Sequence, residues 1–122
     1  MIALRARGFK HIEGIDWGER TIGIVKKVYP DLPVKVGDAT RVDVPDDHFN
    51  AYLSLGVVEH RQEGPEPYLA EAFRVLKPGG YAFISVPFVI SKSNLVVIST
   101  RLMLRLLLFI NMRSQRRSSV NF

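Results

Sequence analysis

Residues 65–88 read PEPYLAEAFRVLKPGGYAFISVPF. Leu69, Ala72, Phe73 and Leu76 recur at i, i+3, i+4 and i+7, the pattern of a helix with one apolar face. Pro78 and the Gly79–Gly80 pair stop that helix, since proline cannot continue it and glycine enters left-handed backbone cheaply. YAFISVPF, residues 81–88, then reads as a strand closed by Pro87. A helix, a glycine stop and a strand in immediate succession is the building unit of an α/β domain.

Working outward, NAYLSLGV (50–57) reads as a strand apolar on both faces, as expected of a buried parallel strand. VPDDHF (44–49) is a turn cluster, and LPVKV (32–36) and HIEGID (11–16) are shorter strands. ERTIGIVKKVYP (19–30) is a helix with Ile22, Val25 and Val28 on one face, and MIALRAR is a helix that stops at Gly8. Strands that alternate with helices argue for a doubly wound α/β domain with a mostly parallel sheet and right-handed crossovers. In such sheets ligands sit outside the carboxyl ends of the strands. The polar residues at those ends are Asp16, Asp38, Ser54 and the Glu59–His60 pair.

The chain has 122 residues, of which 47% are hydrophobic and 24% charged, enough for one core and too apolar for wholesale disorder. With no cysteine, disulfides and thiolate metal sites are excluded. His11, His48 and His60 have no ligand spacing, so no metal is expected. No apolar stretch of signal-peptide length follows Arg5, Arg7 and Lys10, so the expected location is cytoplasmic. The net charge of +5 is unevenly spread. Residues 1–87 carry eleven Lys/Arg against twelve Asp/Glu, and residues 88–122 carry six Lys/Arg and no acid. The body therefore has no basic stripe, and nucleic-acid binding is not expected.

GID, then VGDATRVDVPDDHFNAYLSLGVVEH (36–60), then YLAEAFRVLKPGGYAFISVP (68–87), resembles the class I S-adenosylmethionine-dependent methyltransferases, in particular their type 11 branch. The resemblance covers roughly residues 8–88 and implies a Rossmann-like sheet with S-adenosylmethionine as cofactor. It implies that the Asp16 carboxylate accepts hydrogen bonds from both ribose hydroxyls; the alternative is an acid that stabilises the following helix N-terminus. Trp17 would lie against the ribose or adenine edge, or cap the core. Asp38 would face the adenine amino group and the Ala39 N–H a ring nitrogen, unless Gly-Asp-Ala is only a turn. Leu55 falls where the family contacts the cofactor, and Gly56 allows close backbone approach. His60 is a candidate general base for the acceptor, with Glu59 beside it; otherwise the pair only shapes the loop. Asn50 departs from the family, which often has Asp after Phe49.

The family's Gly-x-Gly loop, between its first strand and first helix, cradles the methionine end of the cofactor. No Gly-x-Gly occurs among the nine glycines here. The expectation is a chain that resumes inside the first helix, with an incomplete sheet, marginal stability and weak or absent cofactor binding. Without the central first strand, the second and fourth family strands either re-pair or the sheet splits.

The expected organisation is a partial methyltransferase domain over residues 1–90 and an apolar, basic, helical tail over 91–122. Leu95–Met112 is 18 residues long, near the lower limit for a bilayer span, but Arg101 and Arg105 share one helix face and disfavour a span. The tail is then a core or lid helix, a peripheral membrane contact through residues 95–117, or a spurious reading-frame end. The expected function is methyl transfer to a small-molecule or lipid-like acceptor, impaired in this chain. The alternative is a non-catalytic methyltransferase-like remnant that binds a partner or a membrane surface. A nicotinamide-dependent oxidoreductase is weakened by the lack of Gly-x-Gly-x-x-Gly before an acid.

Overall fold

The computed structural model describes residues 1–55, 57, 64–88 and 91–99. The chain divides into two compact units, with the boundary between Asp43 and Val44. The strands form a two-stranded and a three-stranded sheet, and no ladder joins the two among the described residues.

The first unit begins with α1 (Ile2–Ala6), which ends in a turn at Gly8, φ +93°. β1 (Gly14–Asp16) leads into α2 (Glu19–Val28), and β2 (Val34–Val36) pairs parallel with β1. α2 starts with Glu19 and ends with Lys26 and Lys27, charges that match its dipole. Only Ile22 of its apolar residues is buried; Val28 is exposed, contrary to the single buried face expected. Ile22 and Leu32 are the buried hydrophobic residues of this unit. Beside them lies an open apolar groove of about 460 Å³, lined by Met1, Ile15, Ile22, Val25, Tyr29 and Leu32 among others. Its lining is mostly apolar, with Asp16 and Thr21 as the polar side chains.

The second unit contains β3 (Phe49–Leu55), α3 (Glu66–Val75), β4 (Leu76–Phe88) and β5 (Ser91–Ser99). β3 pairs parallel with β4, and β4 antiparallel with β5. α3 covers one face of this sheet: Leu69, Ala72, Leu76, Ala82 and Ile84 form the core, with Phe49, Tyr52, Tyr68 and Phe73 packed against it. Each fully buried aliphatic side chain contributes about 1.5–3 kcal/mol. The Pro-Gly-Gly stop is a bulge inside β4: Phe49 pairs with Leu76, yet Ala51 pairs with Tyr81. Gly79 sits at φ +84°, and a Cβ on Gly80 would lie 2.9 Å from the Asn50 carbonyl oxygen. Only glycine lets β4 turn so closely beside β3.

Two expectations change here. The other face of β3 is open, with Leu53 at 50% and Leu55 at 63% exposure, so β3 is not buried on both faces. Ser91–Ser99, expected to begin a helical tail, forms a strand. Its Val96-Val97-Ile98 run is β-branched, and β4 offers it a strand to pair with. Residues 100–122 lie outside the described residues. Among the described residues, no helix is long and apolar enough to cross a membrane.

Candidate functional site

The parallel register of β1 and β2 sets Asp16 opposite Val36. The Gly37 N–H donates to the Asp16 carbonyl at 3.0 Å, so the chain leaves both strands at one edge. Asp16 and Asp38 thereby lie at the carboxyl ends of adjacent strands. The side chain of Asp16 is held by its own turn: Oδ1 accepts the Gly18 N–H at 2.7 Å. Gly18 is the N-cap residue of α2, so Asp16 also braces the start of that helix. The residue is nonetheless exposed, and its carboxylate keeps Oδ2 for a donor in solution. Trp17, next to it, is 85% exposed and caps no core.

Asp38 is similarly braced. Its Oδ1 accepts the Thr40 N–H at 2.8 Å and the Thr40 hydroxyl at 2.7 Å. An isolated antiparallel bridge from Asp38 to Arg41 closes the turn. Ala39, between them, is half-buried. Gly-Asp-Ala forms a turn that fixes an exposed carboxylate at the strand end.

Leu55 is the last residue of β3, at the carboxyl end of the second unit's sheet. Ser54 was grouped with the strand-end residues, but it lies within β3 at 3% exposure. By strand alternation it shares the α3-covered face with Tyr52, and its Oγ has no hydrogen-bond partner among the described residues. Gly56, Glu59 and His60 lie outside the described residues. No cluster of three His, Cys, Asp or Glu that could hold a metal occurs among the described residues.

A polar constellation that the motif reading passed over lies on α3. Arg74 Nε donates to Glu71 Oε2 at 2.9 Å and Nη2 to Oε1 at 2.6 Å, a bidentate pair. Its Nη1 reaches the Val44 carbonyl at 2.8 Å and Asp46 Oδ1 at 2.9 Å. Hydrogen bonds to Glu71 and then Asp46 hold the Arg74 guanidinium above its ordinary pKa. The three-residue spacing of Glu71 and Arg74 was the available signal; the Val44–Asp46 partner, some thirty residues away, had none. Nearby, burial, reinforced by Glu71 and Tyr68, pushes the Tyr52 phenol up from 10.0 to about 12.

Parallel strands joined through helices, with acids at the strand ends, define an α/β domain. The chain belongs to the type 11 methyltransferase domain family, whose profile matches residues 1–84. It is 34% identical over 80 residues to a demethylmenaquinone methyltransferase of Streptomyces avermitilis, covering 65% of this chain and 34% of the relative. It is 30% identical over 78 residues to a probable S-adenosylmethionine-dependent methyltransferase of Mycolicibacterium smegmatis, covering 64% of this chain and 30% of the relative. The chain thus spans about a third of the length of the curated relatives it matches. A solved S-adenosylmethionine-dependent methyltransferase of Methanosarcina mazei shares the fold, with a TM-score of 0.61 at 21% identity over 69% of this chain and 45% of its own.

The family implies S-adenosylmethionine as the cofactor. The residues present fit its adenosine half: an exposed carboxylate with acceptor capacity, an exposed indole beside it and a second carboxylate one strand over. For the methionine half the sequence holds no Gly-x-Gly.

Proposed function

We propose that this chain is the adenosine-holding part of an S-adenosylmethionine-dependent methyltransferase that acts on a small-molecule or lipid-like acceptor. The observation that carries the reading is the placement of Asp16 and Asp38 at adjacent strand ends, with Trp17 exposed between strand and helix. Asp16 accepts from the ribose diol through its carboxylate, Trp17 lends its ring to the sugar or base, and Asp38 with the Ala39 N–H reads the adenine edge. The name of the demethylmenaquinone relative supports an apolar acceptor. When bound, the cofactor supplies a methyl group on a cationic sulfonium whose sulfur departs neutral, so positioning of the nucleophile carries most of the acceleration.

With no Gly-x-Gly for the methionine end, binding by this chain is expected to be weak, in about the millimolar range. An NMR titration with S-adenosylhomocysteine tests it. Amide shifts are expected at Asp16–Gly18 and Asp38–Thr40, and Asp16→Asn is expected to weaken binding about tenfold by removing the charge-assisted acceptor. Shifts confined to other residues, or an Asp16→Asn chain that binds equally well, would overturn the assignment.

A further inference from the structure

We propose that the outer edge of β3 is a docking edge for a second copy of this chain, the two β3 strands pairing antiparallel about a two-fold axis. Among the described residues β3 pairs with β4 alone, so its other edge has no strand beside it. The Asn50 carbonyl points at β4, where it lies 2.9 Å from the position of a Cβ on Gly80. Across a trans peptide the next N–H points the opposite way, so the Ala51 N–H faces outward. From Ala51 to Leu55 the ladder with β4 is regular, residue for residue. Backbone groups alternate sides along such a strand, so Tyr52 and Ser54 bond to β4, while the N–H and C=O groups of Ala51, Leu53 and Leu55 point outward. These three residues are also exposed. An unpaired row of this kind is a template for another strand.

Exposed edges are usually guarded by charge, by proline or by extreme shortness. β3 has none of these: Phe49–Leu55 reads FNAYLSL, seven residues without charge or proline. β5, at the opposite edge of the sheet, carries Lys92. With a guard on one edge and none on the other, pairing through β3 closes at two copies. A second copy fits because a strand edge is its own complement about a two-fold axis. With the axis at Leu53, Ala51 of each copy stands opposite Leu55 of the other, and the two Leu53 residues face each other. All of these are hydrogen-bonded pairs, all are apolar, and no like charges meet. Their side chains lie on the open face of the sheet, so pairing also takes Leu53 and Leu55, at 50% and 63% exposure, partly out of water. The two three-stranded sheets become one continuous sheet.

Sedimentation and hydrogen exchange of the full chain test this without any variant. At about 100 μM the chain is expected to sediment as a dimer. In that dimer the outward amides of Ala51, Leu53 and Leu55 are expected to exchange at least about tenfold slower than in an unstructured chain. The Tyr52 and Ser54 amides, bonded to β4, are protected with or without a partner. Leu53→Pro removes an outward N–H that β4 does not use, so the fold is expected to stand, read by far-ultraviolet circular dichroism, and the dimer to give way to a monomer. A monomer of the unmodified chain at that concentration would overturn the proposal. So would a dimer whose Leu53 amide exchanges freely, which would assign the contact to the open face, or assemblies that keep growing, which would bring in the β5 edge. A folded Leu53→Pro chain that still dimerises would overturn it equally.

Discussion

At Asp16 the carboxylate has a part in the fold and a second part in the proposed function. Its Oδ1 ties down the Gly18 N–H and so starts α2, while the side chain stays exposed at the strand tip. The two readings of this acid therefore do not compete, since the turn that caps the helix also orients the carboxylate. Tyr52 is the opposite case, a polar group drawn into the α3-covered core. Its phenol ionises near 10.0 in an unfolded chain but is pushed up to about 12 when folded. Between those values the unfolded state gives up a proton that the folded state keeps, so stability, complete below pH 10, falls as pH rises toward 12. In an ultraviolet titration of the folded chain, the Tyr52 phenolate is then expected to form only toward pH 12. Tyr52→Phe should delete that step and flatten the alkaline loss of stability across the same window. The strand-end positions of Asp16 and Asp38 were legible in the sequence because each follows a recognisable strand. Ser54 was misread because alternation along β3, not its place near the strand end, decides its face.

Between elements, Arg74 does the joining. It binds Glu71 on its own helix, then reaches Asp46 and the Val44 carbonyl, fixing the segment that feeds β3. The Asp47 and His48 N–H groups donate to the Arg74 and Val75 carbonyls at 2.9 Å, so backbone and side chain make the same connection. Glu71 is 8% exposed, and removal of its partner would leave a buried carboxylate uncompensated. Arg74→Ala is expected to cost about 3 kcal/mol, read from urea denaturation of the second unit. A loss within the few tenths of a kcal/mol typical of surface ion pairs would show that the clamp is ornamental. The helix–stop–strand passage over residues 65–88 was readable because helix period and glycine stop are local signals. The bulge it hides was not, since the need for Gly80 arises from the Asn50 carbonyl of another strand. The strand over Ser91–Ser99 escaped for the same reason: an apolar run has no fixed state until a partner edge, here β4, is present.

Across the whole molecule, the two units differ in what they bury. The first has Ile22 and Leu32; the second has Leu69, Ala72, Val75, Leu76, Ala82 and Ile84. A core as small as the first cannot offset much conformational entropy, so native-state hydrogen exchange should protect β3 and β4 well above β1 and β2. Equal protection of the two sheets would contradict that ranking. The chain's sequence alone determined the alternation of strands and helices, the family and the acids at the strand ends, because period, glycine stops and strand-end polarity are written within a few residues. Tertiary structure decided which of the described strands pair with which, that one face of β3 lies open and that Ser54 is buried. Those depend on which edge finds which, and pairing between distant segments is set by the energy of the assembled sheet, not by any residue's neighbours in the chain.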